Sequence, residues 1–347
     1  MMPANLSGKK SILVFLLLAA VAATTLLIGC QGETSPVTGP NGAGSTTGGT
    51  TEPPAPAVLS PITGLPVVKT GNPVAVSTDN LSPARPQSGL ARADIVYEVL
   101  AEGPITRYLA IYYSQAPTTV GPVRSVRPYL VLLAKEWDAV LAHCGGSQDG
   151  LALIKELHVL DANDFDHGGL YWRDNSRDMP HNLYGSVERL RKLVKEPASP
   201  PARRYDFEGW AEKPLAGLEI RYGRRYAVRY NYAGGKYERV VLDGSLEPFV
   251  QADLGTGEKP AVSNVIVQFA ATQVIDKELR VSIDLIGEGK AVYLLGGRYS
   301  EGTWKKDSID EPTWFYTSSG DKITLTTGQT WVQIVPEDAK VTELPAK

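Results

Sequence analysis

The sequence is poor in cysteine, histidine and net positive charge. Its 347 residues include two cysteines and four histidines, and the formal net charge at pH 7 is −3. Two cysteines are too few for an exported protein stabilised by disulfides, so the hydrophobic core must hold the fold together. Proteins that bind nucleic acid concentrate basic charge. We therefore expect no nucleic-acid partner, and any basic site must be local.

The first 29 residues have the pattern of a signal peptide. Lys9 and Lys10 precede an apolar stretch over residues 11–28, which ends in Leu27-Ile28-Gly29-Cys30. This order is typical of export signals, and Leu-Ile-Gly-Cys resembles the bacterial lipobox. We predict cleavage before Cys30, lipidation of Cys30 including palmitate, and anchoring on the extracytoplasmic face of the cell membrane. The alternative is an uncleaved anchor helix, although the apolar stretch is at the short end for a bilayer span.

Three further regions differ in composition. Residues 30–57 are rich in Gly, Ser, Thr and Pro; such a segment cannot bury enough apolar surface to fold, and we predict a flexible tether. Residues 58–204 mix strand and helix patterns, which predicts an N-terminal α/β domain. Residues 215–340 hold many short β-branched and aromatic stretches separated by polar turns. The predicted fold class is therefore α+β, with a mixed N-terminal domain followed by a mainly antiparallel β domain.

Segment 121–128 carries two arginines, Arg124 and Arg127, between two prolines. Each proline fixes its own φ and biases the preceding residue towards extended backbone, so we expect a stiff turn. Guanidinium groups are permanently charged, planar forks that suit carboxylates and phosphates. The segment is therefore a candidate anion clamp. The alternative is that both arginines pair with local acids such as Glu98 and Glu102.

A second candidate anion site lies in the turn that follows a predicted strand over residues 139–142. The turn reads His143-Cys144-Gly145-Gly146-Ser147, and Ser147 is a good N-cap for an amphipathic helix. A strand followed by glycines, an N-cap residue and a helix can direct free backbone N–H groups at an anion. The P-loop spacing is absent, however, and a simple tight turn remains the alternative.

Arginines and acids alternate through the N-terminal domain. In a mildly acidic protein this pattern indicates either one local anion site or one internal salt network, and buried networks do not reliably add stability. We predict ligand-binding roles for Arg85, Arg107, Arg124, Arg127, Ser147, Arg173, Arg177, His181 and Asn182. The predicted acidic partners are Asp94, Glu98 and Glu102.

Metal and nucleophile chemistry find less support in the sequence. The four histidines, His143, His158, His167 and His181, stand in no recognised metal-ligand spacing, so we predict no metal and no cofactor. Ser147 could act as a nucleophile with His143 or His181, but no Gly-x-Ser-x-Gly turn is present. Cys144 is expected to be a small core residue. No catalytic residue can be assigned, and whether the protein is an enzyme stays open.

Several segments resemble the YerB-like bacterial lipoproteins. In the N-terminal domain these are Ala84–Gly89, Ala93–Glu98, Gly121–Ser125 with Arg127-Pro128, Gly145–Ser147 and Pro180–Tyr184; in the second domain they are Trp304–Lys306 and Gly328–Trp331. The resemblance covers nearly everything after the tether. It implies a two-domain envelope lipoprotein whose domains have no assigned function, and it implies no reaction.

The leading hypothesis is a membrane-tethered extracytoplasmic protein that binds an anionic envelope ligand through an arginine-lined cleft. Candidate ligands are a wall polymer, a lipid phosphate or an acidic segment of an envelope protein. A first alternative is a hydrolase or transferase acting on a phosphorylated or acylated envelope substrate, with His181, Glu98 or Glu102 as acid or base. A second alternative is a scaffold without catalysis.

Overall fold

The computed structural model describes residues 58–67, 71–194, 206, 213–244 and 247–344. The predicted signal peptide, Cys30 and the tether lie outside these ranges. Among the described residues, every helix is too short or too polar to cross a membrane. Residues 58–194 are called the N-terminal half below, and residues 213–344 the C-terminal half.

The N-terminal half alternates strands with short helices, as its mixed sequence pattern predicts. Its elements, in chain order, are β1 Val74–Asp79, β2 Ile95–Glu102, β3 Ile105–Tyr112, α1 Pro128–Lys135, β4 Val140–His143, α2 Gln148–Glu156, β5 Asp161–Asn163, α3 Asp164–His167, β6 Tyr171–Arg173, β7 Leu183–Gly185 and α4 Val187–Arg191. The loops between β1 and β2, between β3 and α1, and between β6 and β7 hold most of the predicted site residues.

The C-terminal half is built almost entirely of strands, because its β-branched and aromatic stretches alternate with turn residues such as Gly234-Gly235 and Gly296-Gly297. These strands are β8 Lys213–Pro214, β9 Gly217–Arg221, β10 Tyr226–Ala233, β11 Lys236–Asp243, β12 Phe249–Val250, β13 Val262–Ala270, β14 Thr272–Val274, β15 Val281–Ile283, β16 Gly287–Leu295, β17 Arg298–Lys306, β18 Trp314–Thr317, β19 Gln329–Pro336 and β20 Lys340–Leu344. The predicted fold class is confirmed.

One large sheet runs through both halves. Its strand order is β20-β9-β10-β11-β13-β19-β2-β3-β1-β4-β5. The two halves join where β19 lies parallel to β2, with Val332 opposite Tyr97. Nearly every residue of β1, β2, β13 and β19 is buried, including polar side chains such as those of Asp79 and Glu98. Strands from both halves therefore contribute to the same core.

Local predictions in the N-terminal half agree with the structure at several points. Strands β2 and β3 form the predicted hairpin around Gly103, which has a positive φ of 54°. Ser147 is the N-cap of α2, and its hydroxyl accepts a hydrogen bond from Gly150 N at 3.3 Å. The proposed boundary between the two domains falls where residues 206, 213 and 214 alone are described, so that division stays a prediction.

Candidate functional site

Three loops of the N-terminal half meet at the end of β1. The backbone of Val123 donates to Leu183 O at 2.7 Å, which joins segment 121–128 to the start of β7. Arg177, in the loop before β7, donates to Ala84 O at 2.9 Å and to Pro86 O at 3.0 Å. The peptide bonds before Pro86, Pro122 and Pro180, one in each of these loops, are cis. The sequence motifs at residues 84–89, 121–128 and 180–184 are thus neighbours in space.

Asp79, the last residue of β1, is the centre of this meeting point. Its side chain is only 2% exposed. Oδ1 accepts the N–H of Leu81 at 3.0 Å, and Oδ2 lies 2.7 Å from His181 Nδ1. The same Oδ2 lies 3.0 Å from Arg124 Nε, as an ion pair without the angle of a directed hydrogen bond. The imidazole and the guanidinium therefore lie side by side on one buried carboxylate.

Arg124 and His181 keep polar atoms that no described residue contacts. The Arg124 side chain is 25% exposed and that of His181 is 12% exposed. Within the described ranges, Asp79 contacts one nitrogen of each group, while both Nη atoms of Arg124 and Nε2 of His181 make no hydrogen bond. A partly exposed guanidinium fork beside an imidazole nitrogen has the donors that a phosphate or carboxylate needs.

Positive charge exceeds negative charge around this point. Arg107 lies opposite Asp79 in the β1–β3 pairing, and its Nη2 is 3.8 Å from Glu102 Oε2. Arg127 pairs with the same Glu102. Arg107, Arg124 and Arg127 thus face two carboxylates, which leaves one uncompensated positive charge. Burial and the neighbouring Arg127 both lower the pKa of Arg107, despite the opposing effects of Glu102 and Asp79.

Arg173 and Asn182 form an adjoining pair. Arg173 Nη1 donates to Asn182 Oδ1 at 2.9 Å, and its Nη2 lies 3.8 Å from Asp164 Oδ2. Asn182 is buried and also donates to the backbone of Asp174 and Arg177. Asn182 therefore acts as a structural tie that fixes the loop carrying His181, and Arg173 is its exposed neighbour.

Arg85 and Glu98 belong to a different environment, the buried contact between the two halves. Arg85 Nη1 lies 2.6 Å from Asp243 Oδ2, and its Nε donates to Asn80 Oδ1 at 2.9 Å. Glu98 pairs with Arg239 at 2.6 Å, and neither of these two side chains has any exposed surface. Both arginines are thus paired with carboxylates across this contact, which joins the N-terminal half to β11.

Asp94 is also buried. Its Oδ2 accepts the backbone N–H groups of Tyr113 and Ser114 at 2.7 and 3.0 Å. Burial raises the pKa of Asp94, and these hydrogen bonds oppose that effect only in part. Asp94 therefore fixes the end of β3 rather than pairing with one of the predicted arginines.

Arg127 also lines, together with Ser147, a cavity of about 400 Å³ beside the N-terminus of α2. Its other walls include Asp149 from α2, and Asp276 and Arg280 from the β14–β15 hairpin. Arg280 pairs with Asp276. The cavity thus has as many acids as arginines in its lining, and it offers an anion less net attraction than the Asp79 cluster does.

The metal and thiol alternatives gain no support from the described residues. Nowhere in the described ranges do three or more His, Cys, Asp or Glu side chains gather closely enough to hold an ion. His143 is buried between Gly145 O and Asp161 Oδ1, at 2.8 Å from each. Burial, with the adjacent Asp164, raises the pKa of Cys144, which disfavours a nucleophilic thiolate.

Known proteins resemble the chain over most of its length. Residues 62–199 match the family described as "Protein of unknown function (DUF3048) N-terminal domain", and residues 218–332 match the corresponding C-terminal domain. The chain is 34% identical over 298 residues to "Putative lipoprotein YerB" of Bacillus subtilis strain 168, which covers 82% of this chain and 88% of the relative. It belongs to the YerB-like DUF3048 family.

A solved structure supports the same assignment. The crystal structure of YerB protein from Bacillus subtilis is similar with a TM-score of 0.71 and 32% identity, covering 82% of this chain and 99% of that chain. The resemblance predicted from sequence segments is confirmed. In this member of the DUF3048 family, Asp79, Arg124 and His181 all lie in the part that matches the N-terminal domain.

The tertiary structure separates the predicted site residues of this DUF3048 protein into groups. Arg107, Arg124, Arg127 and His181 come together around Asp79 and Glu102, with Asn182 and Arg173 alongside. Arg85 and Ser147 lie in other environments, and Arg177 is bound to backbone carbonyls.

Sequence reasoning missed Asp79 and Arg239. Asp79 ends a predicted strand at a polar turn, a weak signal, whereas Arg239 sits in an alternating strand with nothing to mark it as buried.

Proposed function

We propose that this protein is a lipid-anchored extracytoplasmic protein that binds a phosphate-bearing ligand of the cell envelope at the surface formed by Arg124 and His181. The lipobox-like stretch ending at Cys30 supports the anchor, as does the name of the Bacillus subtilis relative, putative lipoprotein YerB. Under this proposal the membrane is a partner through the lipid on Cys30. The tether would let the folded part reach ligands about 25–30 Å from the bilayer.

One observation carries the binding proposal. The Nη atoms of Arg124 and Nε2 of His181 have no partner among the described residues, although both groups contact the same buried Asp79 through another nitrogen. Side chains fixed in this way lose little conformational freedom when a ligand binds. The excess positive charge from Arg107 and Arg127 favours an anion at this place. We propose positioning roles for Arg173, Arg177 and Asn182, and structural roles for Arg85, Asp94 and Glu98.

The test compares Arg124→Gln with Arg92→Gln. Arg92 is a matched control because it is an exposed arginine that pairs with Glu258 at 2.7 Å, away from Asp79. A charge-assisted hydrogen bond is worth about 1.5–3 kcal/mol, so Arg124→Gln should weaken ligand binding roughly 10- to 100-fold. Its melting temperature should change little, because the buried Asp79 carboxylate keeps its contacts with His181 Nδ1 and with the Leu81 N–H.

Two sources of phosphate can be distinguished in the same experiment. Binding is measured with vesicles containing phosphatidylglycerol and, separately, with an isolated phosphate-bearing wall polymer. Loss of binding to one probe with Arg124→Gln, and not with Arg92→Gln, would identify that source. Equal binding by both variants, or a collapse of stability in Arg124→Gln, would contradict the proposal and favour a structural role for Arg124.

A specific contact also favours the hydrolase alternative. A buried carboxylate that holds Nδ1 of a histidine and leaves Nε2 free is the arrangement of a general base. In that role His181 Nε2 would take a proton from water as the water oxygen bonds to phosphorus. The proton would then pass to the leaving alkoxide as its bond to phosphorus breaks. Turnover of envelope phosphoesters that is lost in His181→Ala would support this alternative, and the absence of turnover by the unaltered protein would exclude it.

A further inference from the structure

We infer that His181 makes the Asp79–Arg124–His181 cluster selective for oxyanions that carry their own proton over fully ionised ones, at neutral and mildly alkaline pH. Inorganic phosphate is an example of the first class and sulfate of the second. The inference rests on the proposed function, since it concerns the same site. It adds a rule of selectivity that binding to arginine alone would not produce.

Asp79 determines which nitrogen of His181 carries the proton. A carboxylate only accepts hydrogen bonds, so the nitrogen 2.7 Å from Asp79 Oδ2 must be protonated. That nitrogen is Nδ1. When the imidazole is neutral, Nε2 is therefore an acceptor, and it becomes a donor only in the imidazolium form. The buried position of Asp79 holds the ring in this orientation.

Arg124 and His181 would contact the same anion in different ways. The Nη atoms of Arg124 always donate, and they suit an ionised oxygen. A second ionised oxygen placed at the neutral Nε2 would face a lone pair, which is repulsive. A P–O–H group placed there would donate to Nε2. Phosphate can thus bind to the neutral site, whereas sulfate must bind together with a proton on His181.

The charges around His181 come from Asp79 and from arginines. Asp79 and Arg124 contact each other at 3.0 Å, and Arg107 lies opposite Asp79 on β3. In the loop of His181 itself, the backbone carbonyl of Asp178 accepts the backbone N–H of His181 at 2.9 Å. The guanidinium of Arg177 donates to the backbone carbonyls of Ala84 and Pro86. Arginine stays charged at neutral and mildly alkaline pH. The imidazole is therefore the side chain of this cluster that can take up a proton when sulfate binds.

The experiment is isothermal titration calorimetry of the full chain with sodium sulfate and with sodium phosphate. Affinities are measured at about pH 5.5 and about pH 8.5, at constant ionic strength, because histidine side chains in general change charge between about pH 5 and 8. We expect sulfate affinity to fall by up to tenfold for each pH unit over which the imidazole is neutral, and phosphate affinity to fall much less. Titration in two buffers of different ionisation enthalpy should show uptake of about one proton per sulfate at neutral pH.

His181→Gln supplies the comparison variant. The glutamine amide can donate to sulfate at any pH, so the dependence of sulfate affinity on pH should disappear in this variant. If His181→Gln does not fold, the proton uptake measured on the unaltered protein decides the question. Sulfate binding without proton uptake, and with the same affinity at both pH values, would overturn this inference and leave the proposed binding function intact. Failure of both anions to bind at either pH would overturn both.

Discussion

The buried ion pair between Glu98 and Arg239 offers the sharpest test of how the two halves are held together. Both side chains are completely buried, and Arg239 Nη2 lies 2.6 Å from Glu98 Oε2. Arg239 also stacks over Trp331 at 4.7 Å, so its loss removes both a charge partner and a packing contact. The perturbation we consider is Arg239→Met, which keeps most of the side-chain volume and removes the charge.

The magnitude follows from the surroundings of Glu98. Breaking a buried pair by removing one partner costs about 3–5 kcal/mol, because the other charge stays buried without compensation. Glu98 retains neutral donors in the variant, from Thr106 at 2.8 Å and Tyr226 at 2.7 Å. These donors lessen the cost, so we expect a loss of about 3 kcal/mol in the free energy of unfolding.

Urea unfolding followed by tryptophan fluorescence is a suitable assay. The double variant Glu98→Gln with Arg239→Met should be at least about 1 kcal/mol more stable than Arg239→Met alone, because it removes the uncompensated charge. Arg229→Met is a matched control on neighbouring strand β10, since Arg229 is 39% exposed in its pair with Glu219. Its cost should be about 0–1 kcal/mol. A cost below about 1 kcal/mol for Arg239→Met, or a double variant no more stable than the single one, would refute the reasoning.

Three further predictions concern the N-terminal half. Burial raises the pKa of Asp94 above its ordinary value of 3.8, so the folded protein binds the carboxyl proton more tightly than the unfolded chain does. The stability that this proton contributes is complete below about pH 3.8 and is lost as the pH rises through the folded-state pKa. Melting curves of Asp94→Asn should lack this loss of stability. Ser147→Ala should cost only about 0.5 kcal/mol in urea unfolding, because Asp149 also accepts the Gly150 N–H at 2.9 Å. Gly121→Ala should cost about 1–3 kcal/mol, because φ is 142° and the added Cβ would lie 2.8 Å from Leu183 O; an unchanged melting temperature would contradict that account.

Local sequence signals predicted the elements of this fold well. The β2–β3 hairpin, the N-cap at Ser147 and the strand-rich C-terminal half all follow from residue types that act within a few positions along the chain. The backbone preferences of glycine and proline and the capping hydroxyl of serine affect only residues a few positions away. These elements can therefore be predicted without knowing which distant residues they contact. The same locality made the family resemblance recognisable from short segments.

Charge pairing could not be predicted in this way. The residue types were equally consistent with one arginine-lined site and with a salt network, because an ion pair can join residues that are far apart in the chain. The ion pairs of Arg85 with Asp243 and of Glu98 with Arg239 form because β2 lies in the same sheet as the strands of the C-terminal half. Arg124 and His181 meet on Asp79 because three loops come together at the end of β1.

The sequence alone determined the export signal pattern, the tether composition, the fold class and the family of this protein, because these depend on composition and on short-range backbone preferences. The tertiary structure alone decided which arginines are neutralised and which keep free donors. Coulomb energy and burial depend on distances between residues that are remote in sequence, and folding sets those distances.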